Sequence, residues 1–404
     1  LTARLVHLQI ISGAEYRRIA RESLQSERLL PARRGAIYDR HGNLLAIDEP
    51  CFDLCLHYKF LTAEPKWVRA RQAEIARRLR ADAPGLSPAE AQRQAEEIYR
   101  QRMSATWRLA HELAERLGVD LQERIDRIRR RVPILRERYG DEDREVWEER
   151  QAHPVVSGLD EAMKVEAALR LGETVGAELQ PSHRRRYPRG ATACHTVGLM
   201  GAVTAESLAA LNAEVAARLA EQFGDDAAGY DLAYARDSYR FDDSHGISGV
   251  ERMCEATLRG RRGYRLVRRT LEGHEELASL PAEAGHDVHL TIDAALQDEL
   301  TALLASGGQT GALVVLYVPT GEVLALVSVP TYDLNEYRRQ FRELASDEVY
   351  LPLLARAVGR TYPPGSTVKP AAALAALATG RVAPGTTFDC HGYLHTPDAF
   401  RCWI

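Results

Sequence analysis

Tyr362-Pro363-Pro364-Gly365-Ser366-Thr367-Val368-Lys369-Pro370, running on through Ala-Ala-Ala-Leu-Ala-Ala-Leu-Ala to position 378, is the stretch around which the chain is organised. Two prolines and a glycine fix the approach, and the alanine-rich run behind them is a strong helix former. Pro370 is tolerated because its missing N–H is not needed in a first helical turn. The spacing predicts a helix with Ser366 near its N-terminus and Lys369 three residues on, on the same face. At that end the helix dipole and free N–H groups favour developing negative charge. A serine hydroxyl is a poor nucleophile until a neighbouring base takes its proton. A desolvated, neutral lysine can be that base; an arginine, which keeps its proton, cannot.

Ser-x-x-Lys alone is also what a capping serine and a surface lysine would give. Two features favour chemistry. The chain has only Lys59, Lys66, Lys164 and Lys369 against 49 arginines, a skew most simply explained by genome composition, so a lysine retained here is informative. The helix is small-residued and otherwise uncharged, which reads as buried.

Working outward, Gly311–Val318 is nearly continuously apolar, fit for a strand covered on both faces. Pro319-Thr320-Gly321-Glu322 turns the chain, and 323–329 returns as its antiparallel partner. Val288–Ile292 reads as a strand, with Asp293 capping a helix through Leu303. Further upstream, Ala36-Ile37-Tyr38 and Leu44-Leu45-Ala46 flank a turn at Asp39–Asn43, a hairpin signal with Gly42 supplying positive φ. Residues 61–150 differ in texture: 38 of 90 are charged, with three glycines, and apolar residues recur at helical spacing. That predicts a solvated helical insertion rather than part of a sheet. Helices are expected near Asp160–Leu171 and Ala205–Gln222. Arg259-Gly260-Arg261-Arg262-Gly263 could suggest a phosphate or nucleic-acid loop, but is explained more cheaply as a solvated turn between strands.

The 404 residues, 45% hydrophobic and 27% charged, suit two or three folded domains. With 53 basic and 57 acidic residues the formal charge is -4, which argues against a nucleic-acid binder. No run of about 18 apolar residues is present to span a bilayer. Six cysteines are too few for a disulfide scaffold, and Cys51 and Cys55 read as buried free thiols.

The Tyr-Pro-Pro-Gly-Ser366-Thr-Val-Lys369-Pro segment resembles the active site of class B penicillin-binding proteins, the elongation type in particular; Ser-x-x-Lys is a known signature of that enzyme group. Arg33-Arg34-Gly35-Ala36-Ile37-Tyr38-Asp39-Arg40 with Gly42 resembles the start of the family's pedestal. Arg186-Tyr187-Pro188, Gly249-Val250-Glu251 and Leu258-Arg259-Gly260 resemble its later motifs. Leu290-Thr291-Ile292-Asp293 and Pro319-Thr320-Gly321-Glu322 resemble the opening of its transpeptidase domain. Ala355 before Arg356 departs from the asparagine usual there.

The resemblance implies an α+β chain: an extended mixed pedestal with a charged helical insertion, then the first part of a penicillin-binding, serine β-lactamase-like domain with antiparallel sheet and helices. Residues 1–25 would be a membrane-proximal stub after a missing transmembrane helix. Residues 26–284 would be the pedestal, with its insertion at 61–152, and 285–404 an incomplete transpeptidase domain. The implied activity is a periplasmic D,D-transpeptidase that cross-links peptidoglycan stem peptides and is acylated by β-lactams. Ser366 would be the nucleophile, Lys369 its base, and the Ser366 N–H half of the oxyanion hole. The family's Ser-x-Asn and Lys-Thr-Gly motifs are not among these residues, so the 404-residue chain by itself is expected not to acylate.

The resemblance also implies partners: a membrane-embedded SEDS glycosyltransferase (RodA-like) and scaffold proteins of the elongation machinery, with no nucleic acid. A purely non-catalytic activator role through the pedestal is the alternative; a β-lactam-hydrolysing or sensing protein would not need the pedestal motifs. No cofactor is required for acyl transfer. Some elongation-type relatives hold a structural zinc near the equivalents of Cys390 and Cys402, which makes these two a candidate half-site. A disulfide between them, or two unpaired thiols, are the other readings.

Overall fold

A computed structural model describes residues 25–139, 147–241, 243–269, 274–308 and 310–402. The expected stub at 1–25 thus lies outside the described residues except for Gln25. By internal contacts the chain divides into two units, one up to Ala357 and one from Val358.

In the first unit the expected hairpin is present. Strand β2 (Ile37–Tyr38) pairs antiparallel with β3 (Leu44–His57), and Gly42 turns the chain at φ +82. Asp39 holds that turn, its Oδ1 accepting the N–H groups of His41 and Asn43 at 2.8 Å each. β3 is the spine of a mixed sheet. It pairs antiparallel with both β4 (Ala152–Leu159) and β5 (Ala177–Arg186), while β10 (Val288–His289) runs parallel to β2. Cys51 and Cys55 on β3 are buried, unbridged thiols, as expected, and burial pushes Cys51 up to about 11. A second sheet joins β1 (Gln25–Leu30), β8 (Gly263–Arg269) and β9 (His274–Leu280).

The insertion is helical: α1 (Pro65–Asp82), α2 (Pro88–Leu117) and α3 (Leu121–Tyr139). A reciprocal capping box starts α2. Ser87 Oγ accepts the Glu90 N–H, and the Glu90 carboxylate accepts the Ser87 N–H. The insertion is less independent of the sheet than its charge suggests. Tyr99, Leu109, Leu113, Ile125 and Ile128 share one core with Leu54, Leu56, Val155, Val156 and Leu159 of the strands. Charge density describes the outer surface of these helices, whereas the sparser apolar stripe decides what they pack on; each fully buried leucine contributes ~2 kcal/mol. α4 (Glu161–Leu171), capped by Asp160, and α5 (Ala205–Phe223), capped by Thr204, fall where their spacing places them.

Asp293 caps α7 (Ala294–Ser306), which follows α6 (Ala227–Asp237) among the longer helices. β11 (Gly311–Tyr317) and β12 (Glu322–Val329) form the expected antiparallel hairpin. Ala325, Val327 and Val329 pack on Leu296, Leu300 and Leu304 of α7. The other face is open, with Val314 47% and Leu316 56% exposed, so among the described residues this hairpin is covered on one side and not on both. The buried Gln297 amide lies along β12, accepting the Leu326 N–H at 2.8 Å and donating to its carbonyl at 3.1 Å.

Candidate active site

Within the second unit, Gly365–Val368 form a single 3₁₀ turn that passes directly into α8 (Lys369–Ala378). Gly365 stands at φ +53, a conformation that disfavours side chains, which is why glycine precedes the serine. The Lys369 N–H donates to the Ser366 carbonyl, closing an i to i+3 turn. In 3₁₀ geometry side chains three apart eclipse, so Ser366 and Lys369 share one face. Lying so early in the turn, the Ser366 N–H has no helical acceptor behind it. Pro370 occupies the first turn of α8, as its chemistry requires. The expectation of a buried helix does not hold: neither the turn nor α8 has a buried residue, and Leu374 is 67% exposed. The run is apolar enough to be covered, but nothing among the described residues of 358–404 covers it. No hydrogen bond joins the two side chains among the described residues.

Beyond α8, β13 (Tyr393–Thr396) and β14 (Ala399–Arg401) form a short hairpin with Tyr393 opposite Arg401. Cys390 precedes it and Cys402 follows it, and the Cys402 N–H donates to Gly392 at 2.8 Å. Both cysteines therefore belong to the open end of one hairpin, with no disulfide between them. Two thiols so placed supply two of the four ligands a tetrahedral zinc needs. Among the described residues no group of three or more metal-ligating side chains is gathered there or elsewhere, and His391 and His395 do not complete one.

The pedestal-like motifs, spread over more than two hundred residues, meet in one buried charge cluster that sequence reading did not assemble. Glu251, fully buried, accepts from Arg34 at 2.8 Å and from Arg185 at 2.7 Å. Arg34 also pairs with Glu255 at 2.8 Å, and Arg185 with Asp48 at 3.2 Å. Burial opposes the charge on Arg34, but Glu251 and Glu255 beside it hold its pKa above the ordinary value. Burial likewise works against the Glu255 charge, and Arg34 outweighs it to hold the carboxyl below the usual range. Gly35 is required here because a Cβ would stand 2.0 Å from the His286 carbonyl oxygen. The available signal was charged residues set beside glycines: Arg34 by Gly35, Glu251 two residues after Gly249.

The arginine run at 259–262 is not a solvated turn. Arg261 pairs with Asp237 at 2.9 Å, Arg259 and Arg262 both pair with Asp243, and Arg259 lies over the Tyr239 ring. These groups clasp the segment after α6. Arginine donors that find buried carboxylates and carbonyls fold inward, which a count of surface charge does not foresee. The Arg186-Tyr187-Pro188 motif is tied to the chain after β12, with the Tyr187 N–H donating to Asn335 Oδ1 at 3.0 Å and Asn335 Nδ2 donating back to its carbonyl at 2.8 Å.

Residues 29–290 match the family described as penicillin-binding protein dimerisation domain, and residues 311–404 the penicillin-binding protein transpeptidase domain. The peptidoglycan D,D-transpeptidase MrdA of Escherichia coli (strain K12) is 31% identical over 302 residues, covering 70% of this chain and 44% of that protein. MrdA of Haemophilus influenzae is 35% identical over 240 residues, covering 56% of this chain and 33% of that protein. The chain thus spans less than half the length of these curated relatives. A solved complex between penicillin-binding protein PBP2 and MreC from Helicobacter pylori shares the fold, with a TM-score of 0.58 at 20% identity, over 94% of this chain and 57% of that one.

Proposed function

Since the chain belongs to the penicillin-binding proteins, with matches to both their dimerisation and transpeptidase domains, we propose that it is part of an elongation-type peptidoglycan D,D-transpeptidase acting through Ser366. The observation that carries the reading is the 3₁₀ turn that eclipses Ser366 and Lys369 behind a left-handed glycine. The MrdA relatives support the substrate class.

In this reading Lys369 Nζ takes the Ser366 hydroxyl proton as Oγ bonds to the carbonyl carbon between the two D-alanines of a stem peptide. The Ser366 N–H supplies one donor to the resulting oxyanion. The C–N bond then breaks, the proton passes to the departing D-alanine amine, and an ester on Ser366 remains. An amine from a neighbouring strand attacks that ester and restores the hydroxyl. A β-lactam carbonyl enters by the same first step. The enzyme would work on the periplasmic side of the inner membrane, held by an anchor; no described helix is long and apolar enough to cross a membrane. Its pedestal would meet a SEDS glycosyltransferase and elongation scaffold proteins. Cys390 and Cys402 would contribute two thiolates to a structural zinc in the whole protein, with no part in acyl transfer.

Labelling by a fluorescent penicillin tests this. In the whole enzyme Ser366→Ala should abolish labelling, and Lys369→Arg should slow it by at least ~10²-fold, the scale of a lost general base. Labelling that survives Ser366→Ala would refute the assignment. The 404-residue chain alone should remain unlabelled. A scaffold role in place of catalysis is distinguished by a Ser366→Ala protein that still stimulates glycan polymerisation while cross-linking is unchanged.

A further inference from the structure

The chain as a whole carries a small acidic excess, yet α1 is strongly basic, with Lys66, Arg69, Arg71, Arg77, Arg78 and Arg80 against Glu74 and Asp82. Arg71 and Arg78 both pair with Glu74. Lys66, Arg69, Arg77 and Arg80 recur at helical spacing along the face opposite Val68 and Ile75, which pack on the core. All four are exposed, and none has an acidic partner among the described residues. Such a stripe on an acidic chain is charge left for something else to meet.

A concave apolar surface adjoins it. Phe60, Leu61, Tyr99, Met103 and Trp107, together with Arg69, line an open cleft of about 500 Å³, within the size range of binding pockets. Tyr99 is only 6% exposed as a residue, yet it lines the cleft and its hydroxyl is not among the buried polar atoms left without a partner, so that hydroxyl is open to an incoming group. Arg69 belongs to both the stripe and the cleft.

We propose that cleft and stripe together form a docking surface for an acidic segment of a partner protein. An aromatic or aliphatic anchor enters the cleft within reach of the Tyr99 hydroxyl, and carboxylates along the segment meet Lys66, Arg69, Arg77 and Arg80. From Lys66 to Arg80 the stripe runs ~21 Å at the helical rise, the length of a partner helix of about 14 residues. The cleft favours a protein segment over a lipid surface, because a flat anionic bilayer offers charge but no side chain that fills a concavity. This surface lies outside the Ser366 segment and does not depend on the acyl-transfer reading.

The test titrates the 404-residue chain with a synthetic peptide of about 14 residues, rich in Asp and Glu, with Phe and Leu at helical spacing and no Trp. Binding is followed through the fluorescence of Trp107 and its neighbour Trp67. Saturable binding is expected, weakened at least ~10-fold by the Arg69→Glu, Arg77→Glu double variant and by raising salt from about 0.05 to about 0.5 M. Tyr99→Phe should weaken it a further ~3-fold, with far-UV circular dichroism showing each variant folded. Unchanged affinity in the double variant, or equal binding of the same peptide with Lys in place of Asp and Glu, would overturn the proposal. So would binding of phosphatidylglycerol vesicles but not of the peptide, or a self-association of the chain that the double variant abolishes while the peptide never binds.

Discussion

The charge cluster at Glu251 and the turn at Ser366 are built in opposite ways. Around Glu251, residues 34, 48, 185, 251 and 255 are brought together from across the chain, and charge is buried. Within 358–402 the turn and α8 are held by bonds between near neighbours, Lys369 N–H to the Ser366 carbonyl and Thr379 N–H to the Ala375 carbonyl, and the Cys402 N–H reaches back ten positions to Gly392. A long-range cluster fixes a framework and fails as a unit when one member is lost. A local turn fixes the relation between two neighbouring side chains and survives changes elsewhere.

The largest effect should come from the cluster. Glu251→Ala leaves Arg34 and Arg185 buried without their shared carboxylate and should cost ~3–5 kcal/mol, read as a fall in the urea midpoint of the 404-residue chain. Lys369→Ala, in the local region, should move the same midpoint by less than ~0.5 kcal/mol. Equal costs would break the contrast. Gly35→Ala drives a Cβ into the His286 carbonyl and should cost upwards of ~2 kcal/mol.

Next in size is pH. Burial opposes the charge on Glu255 and Asp237, yet arginine partners hold both below the ordinary carboxylate range. Such groups bind protons less readily folded than unfolded. The stability they give is therefore complete above about pH 4.5 and is lost as the pH falls through their lowered values. His57, pushed down to about 4 chiefly by burial, resists protonation in the fold, so unfolding should become easier already between about pH 6.5 and pH 4. Urea midpoints at a series of pH values check both: His57→Gln should flatten the upper part of the curve and Glu255→Gln the lower. The smallest effect is Ser87→Ala, which removes the α2 capping box for ~1 kcal/mol; a larger loss would mean the insertion is coupled to the sheet through its cap.

This contrast also explains what could be read in advance. The helix behind Ser366, the hairpin at Asp39–Asn43, the helix near Asp160–Leu171, the Asp293 cap and the β11–β12 pair all follow from residues within a few positions of each other. Their chemistry is local, and sequence displays local chemistry. The meeting of Arg34, Arg185 and Glu251 is tertiary, and a charged residue carries no mark of the partner it will find 217 positions away. For the same reason the arginines at 259–262 read as surface although they pair inward. The open face of β11 and the exposure of α8 were misjudged for a related reason: apolar composition states that a surface wants cover, not that cover is present. At Ser366 the residue types and their spacing were legible, while the backbone closure that eclipses them needed coordinates.

One consequence of the Gln297 amide concerns growth. By occupying both backbone groups of Leu326 it seals β12 against any newcomer on that flank. Among the described residues, the row of amides and carbonyls along Gly311–Tyr317 is what remains open to this sheet. Any strand that enlarges it must line up beside β11, and a stray strand from another molecule would have to contest the same berth.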